Sequence, residues 1–119
     1  MDIHIILALF HIFIVAPLFF VIAFFREKMP DWAFTALLGT GIFIAVYHSF
    51  KYIIRLSQHS AYAWVNLIHV LFIAPLLIYI GYMHKQTPNA TYDLAIMVGF
   101  AALGYHTYSL IKQIQVIKD

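Results

Sequence analysis

The chain has no cysteine, and only seven Lys and Arg with five Asp and Glu among its 119 residues. Without thiols there are no disulfides, no thiolate metal sites, no Cys-held iron–sulfur cluster and no covalently attached c-type haem. The redox compartment is left open by that absence. Scarce charge beside 64% hydrophobic residues and a mean hydropathy of +0.88 excludes an ordinary soluble domain. A formal net charge of +2 gives no basic footprint for nucleic acid.

What remains is apolar sequence in four blocks, roughly residues 3–25, 32–54, 62–83 and 92–114. Each is about 20 residues long, the length a helix needs to cross ~30 Å of hydrocarbon. The runs are continuous rather than alternating, and four strands could not close a barrel in lipid, so strands are excluded. The first block carries Asp2 instead of a basic leader and shows no small-residue cleavage pattern before Arg26. It therefore reads as part of the mature protein, not a signal peptide. The loops 26–31, 55–61 and 85–91 are short, which makes neighbouring helices antiparallel. The expected fold class is an all-α membrane protein, an up-down-up-down bundle of four transmembrane helices.

The sequence repeats itself with a period of 58 residues. That shift superposes His11 on His69, Ala16 on Ala74, Pro17 on Pro75, Leu18 on Leu76, Pro30 on Pro88, Gly41 on Gly99, Tyr47 on Tyr105 and His48 on His106. Residues 1–119 form one transmembrane domain made of two tandem helical hairpins, repeat one at about 1–58 and repeat two at about 59–119. Each repeat holds an even number of helices, so both enter the membrane in the same direction, with a pseudo-two-fold axis along the membrane normal. Lys51, Arg55, Lys112 and Lys118 lie on the face of the termini, against Arg26, Lys28 and Lys85 on the other. The positive-inside rule then places both termini of this multi-pass protein in the cytoplasm.

Four histidines occupy matching positions inside the apolar blocks, and an intramembrane imidazole is costly without a partner. His11 and His69 open HIFIVAP and HVLFIAP, and each is followed 37 residues later by a Tyr-His pair, Tyr47-His48 or Tyr105-His106. At about 1.5 Å per residue all four imidazoles lie roughly 22 to 25 Å from the hairpin-loop face. They share one layer near the face of the termini. His48 shares a helix stripe with Gly41, Ala45 and Arg55; His106 shares one with Gly99, Ala102, Ser109 and Gln113; Asn66 precedes His69 on its face. Small and polar residues on one stripe mark a packing surface in lipid, so these histidines are expected to face inward. His4, His59 and His84 fall at helix ends or in a loop and carry no site expectation. Pro17 and Pro75 are expected to kink the first and third helices.

Neutral imidazole is the commonest metal ligand, and paired histidines on facing helices hold b-type haem without cysteine. The candidate ligands are His11, His48, His69 and His106. They could hold haem b across a diagonal (His11 with His69, or His48 with His106) or within a hairpin (His11 with His48, or His69 with His106). A compact four-imidazole site for Cu, Zn, Ni or Fe, or a chlorophyll-type pigment, fits the same residues. Tyr47 and Tyr105 stand beside the layer; Gly41 and Gly99 leave room for a flat ring or for close helix approach; Lys51 and Arg55 could pair with propionates or snorkel to lipid headgroups. No nucleophile, carboxylate pair or phosphate loop accompanies the layer, so catalysis is not indicated. A cofactor implies electron transfer with a redox partner or within a larger membrane complex, and a homo-oligomer is compatible. Two other classes stay open: a His-dependent proton or cation channel, and a structural subunit in which the imidazoles are interhelical hydrogen-bond glue.

Overall fold

A computed structural model describes residues 2–119 of the chain. The fold is all-α and of the bundle class, with no strand among the described residues. Four helices are long and apolar enough to cross a membrane: α1 (Ile3–Lys28), α2 (Asp31–Ser57), α3 (Ala63–Gln86) and α4 (Asn89–Lys118). They outrun the expected blocks, most of all α4, whose 30 residues make ~45 Å of helix, matching a bilayer with its headgroup regions. The reason is local: Lys, Gln and Ile near the C-terminus are competent helix formers, and no Gly or Pro follows Gly104 to stop them. Large apolar side chains cover the outside, Phe24 at 80% and Phe13 at 68% exposure among them. Water would not tolerate so extensive a patch, whereas lipid would. These are the features of an integral, multi-pass membrane protein.

Helices α1 and α3 share an irregularity. Each passes through a five-residue π turn, His11–Val15 in α1 and His69–Ile73 in α3, before resuming α geometry at Ala16 and Ala74. The amide of Ala16 donates to the His11 carbonyl and that of Ala74 to the His69 carbonyl, each spanning five residues. Pro17 and Pro75 thereby fall in the first turn of the resumed helix, where a missing N–H costs least. The proline thus acts through a widened turn just before it. A second shared irregularity ends the α-helical part: Arg26 and His84 adopt φ of 51° and 58° with ψ of −128° and −132°, a region that favours glycine. A 3₁₀ turn follows each, at Arg26–Lys28 and His84–Gln86.

The chain forms two compact units that are not the two sequence repeats. One unit joins α1, up to Arg26, to α4 from Tyr92; the other is Glu27–Thr91, holding α2 and α3. In the second unit α2 and α3 run antiparallel and close. A Cβ on Gly81 would lie 2.5 Å from the Leu38 backbone nitrogen, and one on Gly41 would lie 2.9 Å from that of Ile78. Phe34, Leu37, Ala74, Leu77 and Ile80 are buried in this unit. In the first unit Gly99 faces the Phe20 ring, and Ala16, Phe19, Ile22 and Ala95 are buried. The units match at the 58-residue shift: Gly41 against Ile78 corresponds to Gly99 against Phe20, and His84 stacked on Phe34 at 4.4 Å corresponds to Arg26 over Tyr92 at 5.6 Å.

Candidate functional site: two stacked histidine pairs

His11 and His69 open the two π turns, and the same backbone contact fixes both rings. Nδ1 of His11 lies 2.7 Å from the Leu7 carbonyl oxygen, and Nδ1 of His69 lies 2.7 Å from that of Val65. A carbonyl oxygen only accepts, so Nδ1 carries a proton in each ring and donates it. In the neutral tautomer Nε2 then bears the lone pair, the state of a metal-ligating histidine whose other ring nitrogen is tied to an acceptor. Leu7 and Val65 are themselves 58 residues apart, so the repeat carries the tautomer as well as the residue.

Each of these rings stacks on a histidine of the other helix in its unit. His11 and His106 lie with centroids 4.0 Å apart and planes 19° from parallel; for His48 and His69 the values are 4.1 Å and 13°. Within each unit the two imidazoles stand at one level, in agreement with their distances from the hairpin loops. The partners, however, are neither the diagonal nor the hairpin pairs anticipated for haem. Close packing decides this: Gly41 and Gly81 bring α2 against α3, and Gly99 admits Phe20 of α1.

The second unit adds a polar group that the first lacks. His48 Nδ1 lies 2.9 Å from Oδ1 of Asn66, and that oxygen accepts from the ring. Asn66 is 3% exposed, and its Nδ2 has no hydrogen-bond partner. Such an amide costs about 1–3 kcal/mol on mutational scales. At the equivalent position of the first unit stands Ala8, 1% exposed. Asn66 appeared in the sequence only as a helix-face neighbour of His69, although its mismatch with Ala8 across the repeat was the available signal.

The other candidate residues fall around these pairs. Tyr47 and Tyr105 sit edge-on to the adjacent His48 and His106, at 5.1 and 5.0 Å. Tyr47 is 47% exposed and also stacks on Phe43 at 6.0 Å. The space beside Gly41 is taken by α3 itself and that beside Gly99 by the Phe20 ring, so these glycines serve close packing. Lys51 and Arg55 are half-buried and form no ion pair among the described residues. They lie three and seven positions past His48, about 5 and 10 Å along α2. Among the described residues no three His, Cys, Asp or Glu side chains come together to hold a metal ion. No family model, curated protein or solved structure matches the chain.

Proposed function

We propose that this small integral membrane protein holds a His-ligated macrocyclic cofactor, haem b or a chlorophyll-type pigment, and serves electron transfer to a redox partner or within a larger membrane complex. The observation that carries this reading is the repeated Nδ1–H to carbonyl bond of His11 and His69, which orients each ring and leaves Nε2 as the ligating nitrogen. Two imidazoles stacked face to face hold their ring nitrogens in near-parallel planes and would not grip one ion between them, so each pair would contribute one nitrogen, Nε2 of His11 or of His69, to a macrocycle. A bare Cu, Zn, Ni or Fe ion fits less well, since no group of three ligating side chains is assembled among the described residues. When bound, haem supplies one-electron chemistry; the chain's residues orient the ligand nitrogen and exclude water from it.

The test is an absorption spectrum with metal analysis of the protein purified from membranes in mild detergent, followed by haemin titration. A Soret band that shifts on reduction and weakens in His11→Ala and His69→Ala supports the proposal. A colourless, metal-free protein that ignores haemin refutes it.

A further inference from the structure

We infer that the two histidine pairs are not equivalent, that the ligand sits at His48–His69, and that Asn66 is a binding residue donating from Nδ2 to an oxygen atom of that ligand. The inference rests on the cofactor reading only for the identity of the ligand. Around the histidines the repeat is faithful. The four intramembrane histidines, the π turns, the Nδ1 bonds of His11 and His69, the contacts of Gly41 and Gly99 and the positive φ of Arg26 and His84 recur at the 58-residue shift. Against that background Ala8 and Asn66 are both almost wholly buried, yet one is a methyl group and the other an amide. Alanine fills the position at no polar cost, so the fold does not need an amide there.

The amide is half explained by its neighbour: Oδ1 accepts the His48 Nδ1 proton and fixes the tautomer of that ring. The remainder, Nδ2, is a buried donor pair with nothing to donate to. Lipid supplies no acceptor. The complement is a hydrogen-bond acceptor oxygen brought in from outside the chain, an oxygen substituent of the ligand. Asn66 thereby selects for an oxygen-bearing ligand at this pair, whereas the His11–His106 pair, with Ala8 at the equivalent position, makes no such demand.

Haemin is the probe, titrated into wild-type protein and into Asn66→Ala, His69→Ala and His11→Ala, with melting temperatures taken before and after. Asn66→Ala installs the residue that the other repeat already carries, so it is expected to fold. The inference expects Asn66→Ala to weaken haemin binding at least tenfold, and His69→Ala to weaken it at least tenfold more than His11→Ala. Equal losses in His11→Ala and His69→Ala, with Asn66→Ala unchanged, would overturn the inference and leave the cofactor reading standing. If wild type ignores haemin, the cofactor reading falls, and melting temperatures in a His48→Ala background, where Asn66 Oδ1 has already lost its donor, still decide. There an Asn66→Ala change that lowers the melting temperature shows that Nδ2 has an acceptor, and one that raises it shows a buried donor with none and overturns the inference.

Discussion

Gly81→Ala is the substitution that tests the packing most directly, since the atom it adds meets backbone. Its Cβ would stand 2.5 Å from the nitrogen of Leu38 and 2.7 Å from both its Cα and Cβ. Comfortable separation is about 3.5–4.0 Å, so α2 and α3 must part locally by about 1 Å. A gap of that size forfeits a quarter to a half of each dispersion contact across it, and a buried Leu makes about 40–60 contacts of ~0.1–0.2 kcal/mol each. A quarter of one such set is about 1–3 kcal/mol, the usual range for overpacking. Phe34, Leu37, Leu77 and Ile80 all lie in this unit with exposures of 6% or less, so more than one side chain loses contacts. Alanine returns about 1 kcal/mol of helix propensity over glycine. The net expectation is a loss of up to about 2 kcal/mol.

The other glycines calibrate that number within one protein. Gly39 and Gly104 have nothing within 4 Å of the point where a Cβ would stand, so their alanine variants should gain about 0.5–1 kcal/mol. Gly99→Ala meets only the Phe20 ring, which can turn aside, and should fall near neutral; Gly41→Ala meets the Ile78 nitrogen at 2.9 Å and should follow Gly81→Ala. Unfolding by SDS titration in mixed micelles, read by helical circular dichroism, orders the series. If Gly81→Ala proves as stable as Gly39→Ala, the two helices do not pack as closely as described and the reasoning fails.

Arg26 holds a glycine-like backbone at φ 51° while pairing with Asp93 at 2.8 Å and covering the Tyr92 ring. Arg26→Ala loses those contacts and keeps the strain, whereas Arg26→Gly loses them and relaxes the backbone; the glycine variant should be the more stable by about 1 kcal/mol in the same titration. The pair alone is worth little because Asp93 is 65% exposed, so Asp93→Asn should shift stability by less than about 1 kcal/mol. Pro17→Ala restores a backbone donor and should convert the π turn of α1 to α geometry, rotating residues 3–10 by about 100° against the rest. Carbonyl chemical shifts across residues 10–15 report it, and an unchanged pattern would clear the proline of causing the turn. Ala8→Asn places an amide at the same position of the first unit and should cost about 1–3 kcal/mol in the same titration.

Membrane class, four helices and the level pairing of the histidines were all legible because they depend on quantities a sequence carries openly. Apolar run length sets the span, and distance from a shared loop sets the height. Helix ends were less so: residues 55–57 and 115–118 continue α2 and α4 because nothing there stops a helix, and hydropathy does not register that. The π turns left only an indirect trace. HIFIVAP announces a missing donor at Pro17, but whether a helix answers by kinking or by widening is settled by which carbonyls the neighbouring residues can reach.

Which histidines would meet was not legible. A repeat equates His11 with His69 and fixes their height, but says nothing of which helix lies beside which. That was decided by Gly81, whose counterpart Ala23 is also small and buried, a pairing hidden because only identities draw the eye in a repeat. The same habit conceals the site. Features that both repeats share, the stacked histidines included, could be retained for packing alone, since a duplicated helix pair inherits its contacts whether or not they serve a function. A departure from the repeat has no such excuse when it buries a polar group in place of a methyl. Asn66 opposite Ala8 is such a departure, and it is the one that lies against a histidine, His48. The chemistry is therefore better sought where the two halves differ than where they agree.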